Sequence, residues 1–195
     1  MKKFTKYILF ISLGLLCSCS DYLDIVPDNV TTLDIVFNNK NTAQRYLANC
    51  YHFVPDHGSV KRIPGMGAGH ECWFYTDKDS YFDNEVSFYI ARGLQNTNAP
   101  YANYWDGEGG SKLPMFRAIR ECNIFLSYVR DQHKVNDLTD SERKRWIAEV
   151  NVLKAYYHFF LFEHYGPIPI VDEALPVSTS SEGVKVTRMP VDQVV

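Results

Sequence analysis

The chain has 195 residues, of which 46% are hydrophobic and 14% aromatic, enough for one domain with a substantial core and too apolar for a disordered polypeptide. Its formal charge is −3, and it becomes −6 when three lysines of a predicted removable leader, Lys2, Lys3 and Lys6, are discounted. Because nucleic-acid phosphates require a basic face, this acidic balance argues against nucleic acid as a partner, and we exclude that class.

The first 18 residues have the pattern of an export signal. A short basic start precedes an apolar run from Tyr7 to Leu16, which is too short to span a bilayer. The run leads into Leu-Cys-Ser-Cys, which resembles the bacterial lipobox, where a leucine and small residues precede a cysteine that is lipidated. Cys19 fits that position, whereas Cys17 would place the bulky Leu16 just before the cut. We predict a signal peptide over residues 1–18 and a lipid anchor at Cys19, an ordinary secretion signal being the alternative.

The strongest helix signal lies between Trp146 and Pro169. Apolar or aromatic side chains recur there every three or four residues. Thr139 and Glu142 have the spacing of a capping box, and Gly166, followed by prolines, marks the end of the helix. Because the second half of the helix carries bulky side chains on nearly every face, we expect it to lie between other helices rather than with one side in water.

Two further helices and long loops complete the predicted fold. Helical spacing of apolar residues predicts a helix over Leu33–Phe53, strongest from Thr42 onward, and another over about Leu113–Val129. A further helix begins after Pro190. Asn123 lies among apolar neighbours, so its amide needs partners and is expected to fix a helix packing or cap a loop. The region Pro55–Gly110 has no regular spacing of hydrophobic residues and is predicted to form long irregular loops, which often carry function. The fold class is therefore all-α, with packed helical hairpins.

Several of these segments together resemble the SusD/RagB family, the surface lipoproteins of Bacteroidetes. The resemblance is carried by the lipobox, the early helix ending in Tyr51, the segment Phe116–Leu126, and a motif made of Glu149, Leu153, Lys154, Ala155, Tyr156, Tyr157, Leu161, Tyr165, Gly166 and Pro169. It implies tetratricopeptide-like helix pairs in residues 19–195, anchored on the outer membrane. It also implies capture of glycans, or in some members peptides, for a SusC-like TonB-dependent transporter. Family members are considerably longer, so the resemblance implies that the C-terminal part is missing.

Two loops offer the groups that a sugar requires. A sugar ring has an apolar face and polar edges, and in carbohydrate-binding members of the family it lies on exposed aromatic rings with polar groups at its hydroxyls. The segments 70–85 and 101–110 contain both kinds of group. The candidate platforms are Trp73, Tyr75, Tyr101, Tyr104 and Trp105, and the candidate hydrogen-bond partners are Asp77, Asn103 and Asp106. For each ring, core packing is an equally good interpretation.

Metal and cofactor interpretations are weaker, and we predict neither. Acidic residues between 77 and 85 resemble part of a calcium loop, but Phe82 and Phe88 occupy the positions of its glycine and last carboxylate. The histidines lack zinc-site spacing, and the glycines of 65–69 lack the lysine and serine of a phosphate loop.

Three cysteines remain after Cys19, namely Cys50, Cys72 and Cys122. Their odd number and wide spacing argue against a disulfide framework, and buried thiols are the preferred interpretation over a single bridge.

Two other classes of function use the same residues. A glycoside hydrolase needs two carboxylates roughly 5 or 9 Å apart across a cleft, a distance that a sequence does not contain. Carboxylates are plentiful here, but the absence of a strand-rich or barrel pattern argues against a hydrolase. A helical scaffold that binds only protein leaves the aromatic loops without a purpose. We therefore predict a lipid-anchored glycan-binding protein that is not an enzyme, with a hydrolase, a scaffold and a peptide-binding family member as the alternatives. The particular glycan is left open.

Overall fold

A computed structural model describes residues 32–59, 63–65, 67–69, 86–108, 112–176 and 178–194. The predicted signal peptide and Cys19 lie outside them. Nearly all of the described residues belong to one compact unit, Asp34–Val195. The described residues contain helices and no strand, which confirms the predicted all-α fold. The helices are α1 (Leu33–Val36), α2 (Lys40–Tyr51), α3 (Val86–Ala91), α4 (Met115–Arg130), α5 (Asp140–Tyr165) and α6 (Val191–Val194).

The long helix α5 begins and ends where the sequence predicts. The Thr139 hydroxyl accepts a hydrogen bond from the Glu142 N–H, and the Glu142 carboxylate accepts one from the Thr139 N–H, which completes the capping box. Hydrogen bonds from Lys40 and Thr139 lower the pKa of Glu142 to about 2. At the other end, Gly166 has a φ of 68°, and its N–H donates to the Phe162 carbonyl at 2.8 Å. Since this φ suits glycine and few other residues, the helix stops there.

Helices α4 and α5 form a hairpin, and α2 packs against both. The side chains that face one another are fully or almost fully buried and include Ala43, Cys50, Ile119, Cys122, Phe125, Trp146, Val150, Tyr157 and Phe160. The Tyr157 hydroxyl donates a hydrogen bond of 2.5 Å to the Cys50 carbonyl and thereby ties α5 to the end of α2. This arrangement confirms the predicted packed, tetratricopeptide-like helical hairpins.

Arg143 organises the connection between α4 and α5. Only 8% of this residue is exposed, and no pattern in the sequence indicates its role. Its guanidinium donates hydrogen bonds to the carbonyls of Val129 at 2.6 Å, Asp131 at 3.1 Å, Lys134 at 3.0 Å and Val135 at 3.1 Å. A buried charge is tolerated only with such partners, so the carbonyl groups allow Arg143 to be buried. In return, the guanidinium holds the connection between α4 and α5 in one conformation.

One face of α5 remains open to solvent. Val152 is 69% exposed and Phe159 is 54% exposed. A groove of about 450 Å³ runs beside them and is lined in part by Phe162 and Ile170. The expectation that α5 has no side in water is therefore wrong. Hydrophobic residues occur on every face of this helix, so periodicity alone does not indicate which face the other helices cover.

The main chain of Val171 attaches the segment after α5 to both helices of the hairpin. Asn123 of α4 donates to the Val171 carbonyl at 3.0 Å, which confirms the predicted role of this amide in holding a loop. The Val171 N–H donates to Nε2 of His158 in α5 at 3.3 Å, and Nδ1 of His158 lies 2.9 Å from the Lys154 carbonyl. Since Nε2 must accept, Nδ1 carries the proton and the imidazole is neutral.

We expect acidification to weaken the fold through His158. Burial lowers the pKa of this imidazole below its ordinary value. The folded state therefore binds fewer protons than the unfolded state, so the stabilisation is complete above the unfolded pKa of about 6.5 and is lost as the pH falls through the folded pKa. The free energy of unfolding, measured by urea titration, should fall between about pH 7.5 and pH 5, and it should fall less in His158→Gln.

His133→Gln is the matched control for this experiment, because His133 is exposed. This variant should keep the full pH dependence. If His158→Gln shows the same pH dependence as the unsubstituted protein, His158 does not supply the effect.

Candidate functional site

The candidate site lies in residues 101–108, between α3 and α4. The Tyr165 hydroxyl, at the end of α5, accepts a hydrogen bond from the Tyr104 N–H at 2.9 Å and donates one to the Ala102 carbonyl at 3.3 Å. Gly107 has a φ of 79°, and a Cβ atom at this position would lie 2.7 Å from the Pro114 ring. Only glycine fits there. The segment is therefore fixed against the end of the long helix.

Tyr104 points into the core. Its ring is fully buried, and the ring centroids of Phe160 and His164 lie 5.0 Å and 4.6 Å away in edge-to-face contacts. Burial raises the pKa of its hydroxyl. A sugar has no access to a buried ring, so the prediction that Tyr104 is a ligand platform is wrong, and its role is to anchor the loop.

Trp105, the next residue, is half-buried at the surface. Its ring contacts Phe116 with a centroid distance of 4.6 Å and Tyr165 with a distance of 5.6 Å. The Arg188 guanidinium carbon lies 5.1 Å from the centre of the Trp105 ring. These contacts hold the indole in one orientation while part of it stays exposed.

The predicted polar partners lie beside Trp105. Asn103 donates from Nδ2 to Oδ1 of Asp106 at 2.5 Å, and its Oδ1 accepts from the Trp105 N–H at 3.2 Å. The Glu108 N–H also donates to Oδ1 of Asp106, at 2.9 Å. Asp106 is exposed. The structure therefore brings together Asn103, Trp105 and Asp106, as a binding site requires.

Tyr101 stacks on a ring that the sequence analysis missed. Tyr89 of α3 lies parallel to it, with a centroid distance of 4.1 Å and an interplanar angle of 12°. Both rings are half-buried, and the Tyr101 N–H is held by the Gln95 side chain at 2.8 Å. Three predicted ligand-binding residues, Trp73, Tyr75 and Asp77, lie outside the described residues.

The described ranges contain no candidate metal site and no candidate membrane span, and their two cysteines are free. Within them, no group of three or more histidine, cysteine, aspartate or glutamate side chains is placed to hold a metal ion. No helix in the same ranges combines the length and apolar character needed to cross a bilayer. Cys50 and Cys122 are buried free thiols, and Cys72 lies outside the described residues.

The fold and the site define an all-α helical-hairpin protein that presents half-buried aromatic rings next to a half-buried amide and an exposed carboxylate. Residues 21–195 match the family model SusD-like_3, which is described as starch-binding and associating with the outer membrane. The chain belongs to this SusD-like family.

Solved structures share the fold. A laminarin-binding SusD-like protein is 18% identical with a TM-score of 0.59, and the match covers 81% of this chain and 32% of that protein. A SusD-like protein of Bacteroides fragilis NCTC 9343 is 15% identical with a TM-score of 0.52, over 88% of this chain and 28% of that one. A SusD-like carbohydrate-binding protein from the same strain is 20% identical with a TM-score of 0.50, over 82% of this chain and 29% of that one.

The chain thus spans about a third of the length of these structures, since the matches cover 28% to 32% of them. Identities this low show a common fold and do not transfer a ligand. A search of curated proteins found no match.

Proposed function

We propose that the protein is a glycan-binding lipoprotein of the outer-membrane surface, which passes oligo- or polysaccharides to a TonB-dependent transporter and catalyses no reaction itself. Membership of a family described as starch-binding and associating with the outer membrane is the observation that carries this proposal. The laminarin-binding and carbohydrate-binding proteins of the same fold support it.

Residues 101–108 supply the chemistry for such binding. The partly exposed rings of Tyr101 and Trp105 offer apolar surface to the face of a sugar, and the polar groups of Asn103 and Asp106 suit its hydroxyls. Because Tyr165 and Gly107 pre-order the segment, little conformational entropy is lost on binding. Many copies on one cell surface would compensate for a weak single site. Trp73, Tyr75 and Asp77 are proposed as further contacts from the sequence alone.

The anchor is proposed to be an acyl group on Cys19. In cells grown with radiolabelled palmitate, the unsubstituted protein should become labelled. The Cys19→Ala variant should stay unlabelled, because the acyl chains are proposed to be attached to Cys19. A protein that stays unlabelled in the same cells would contradict the lipid anchor.

Affinity gels containing laminarin or starch test glycan binding. The unsubstituted protein should migrate slowly, and Tyr101→Ala and Trp105→Ala should each bind about tenfold more weakly because a stacking surface is lost. Tyr51→Ala is the matched control, because Tyr51 is a 41% exposed tyrosine at the end of α2, outside the site. Thermal unfolding of each variant checks that the helices remain folded, which matters for Trp105 because it packs against Phe116.

Three outcomes would contradict the proposal. Equal retention of both site variants and the unsubstituted protein would remove Tyr101 and Trp105 from the site. Release of sugars from an oligosaccharide would favour the hydrolase. Co-purification with a transporter without retention by any glycan would favour the scaffold.

A further inference from the structure

Arg188 brings a positive charge to the aromatic site. Its guanidinium carbon lies 5.1 Å from the centre of the Trp105 ring. The backbone is held in place at the next residue, because the Met189 N–H donates to the Ile168 carbonyl at 2.9 Å, just beyond the end of α5. Arg188 is thus held beside the segment that directly follows the long helix, although more than twenty residues separate it from the end of that helix.

Within the part of the chain that the structure describes, most hydrogen-bond donors of Arg188 have no acceptor. A guanidinium has five N–H donors, and contact with an aromatic face leaves the donors at its edge available. Arg188 makes one long hydrogen bond, from Nη1 to the Pro167 carbonyl at 3.5 Å. Within the described ranges no carboxylate lies within ion-pair distance of it, whereas Lys134 and Lys154 each pair with an aspartate.

The carboxylate of the site does not neutralise Arg188. Asp106 is near enough to Tyr165 to affect its pKa, and so is Arg188, so both charges lie around the same ring cluster. The Asp106 carboxylate instead accepts from Asn103 and from the Glu108 N–H. Among the described residues, the site therefore offers an oxygen acceptor for hydroxyl groups and, separately, a cation that is not paired with an anion.

We propose that Arg188 is a specificity-determining ligand residue, and that the site takes a glycan whose sugars carry a carboxylate, the uronic acid class. The sugar ring would contact Trp105, and its carboxylate would accept paired hydrogen bonds from the guanidinium, the geometry that arginine matches best. This inference rests on the proposed glycan-binding function and adds the chemical class of the glycan to it.

The test compares an acidic polysaccharide with its neutralised form. Affinity gels containing polygalacturonate, methyl-esterified polygalacturonate or laminarin are run at low salt with the purified protein. Polygalacturonate should retain the protein most strongly, and Arg188→Gln should weaken that binding about tenfold, because a hydrogen-bonded ion pair is lost. Its binding to the other two gels should fall by a clearly smaller factor, because neither polymer presents a carboxylate to the guanidinium. Arg188→Lys keeps the charge but loses the paired hydrogen bonds, so its affinity for polygalacturonate should lie between that of the unsubstituted protein and that of Arg188→Gln.

Arg145→Gln is the control for net charge. This substitution removes the same unit charge as Arg188→Gln, at an exposed residue of α5. It should bind like the unsubstituted protein, and all variants should unfold at the same temperature. Retention by laminarin but not by polygalacturonate would overturn this inference and leave the proposed function standing. An equal effect of Arg188→Gln on all three gels would also overturn it. Retention by no glycan, in these gels or in starch, would overturn the proposed function as well.

Discussion

Replacing Arg143 with alanine is expected to lower the free energy of unfolding by at least about 3 kcal/mol. The guanidinium is buried and donates to four carbonyl groups, one in the last turn of α4 and three in the connection between α4 and α5. With alanine at this position, the four carbonyl groups lose their hydrogen-bond donor, and water does not easily replace it. Each carbonyl group then bears the free-energy cost of burial without a hydrogen bond. Urea titration followed by circular dichroism measures the loss.

Arg145→Ala is the control for this experiment. Arg145 lies two residues further along α5 and is exposed, so its removal should change the free energy of unfolding by no more than about 0.5 kcal/mol. If the two variants are equally stable, the hydrogen bonds of Arg143 do not hold the turn.

Phe160→Ala is expected to cost about 3 to 5 kcal/mol. Its ring is 1% exposed and packs against Tyr104, so alanine would leave a cavity between α5 and the segment that carries the candidate site. The neighbouring residue provides the control, because Phe159 is the same residue type on the same helix but is 54% exposed. Phe159→Ala should cost less than about 1 kcal/mol.

The same pair of variants separates stability from binding. Loss of the Phe160 ring removes the support of Tyr104, so glycan retention should fall under conditions in which the helices are still folded. Phe159→Ala should keep full retention. A cost for Phe159→Ala as large as that for Phe160→Ala would show that the open face of α5 is covered in solution.

Local signals made α5 predictable. The capping box of Thr139 and Glu142 and the glycine at 166 act within one turn of the helix end, so their effect is contained in the sequence around them. The helical period also identified most of the buried face. It did not identify Phe159 as exposed, because bulky residues on all sides of α5 give the pattern no preferred direction.

The site was predictable only in part. Asn103, Trp105 and Asp106 come together because they are neighbours in one turn. The inward orientation of Tyr104 was not predictable, since an irregular segment has no period to separate inside from outside. Arg188 was missed for a different reason. It reaches Trp105 from a position 83 residues away in the sequence, and no local pattern records such a contact.

Because α5 is long, the turn that Arg143 holds and the candidate site lie far apart. With 26 residues it extends about 39 Å, and Arg143 lies near one end while Tyr165 lies at the other. Substitutions at exposed residues of the candidate site, such as Asp106, therefore lie far from the turn that Arg143 holds. If the proposed function is correct, such positions can change in evolution or by design with little effect on that turn.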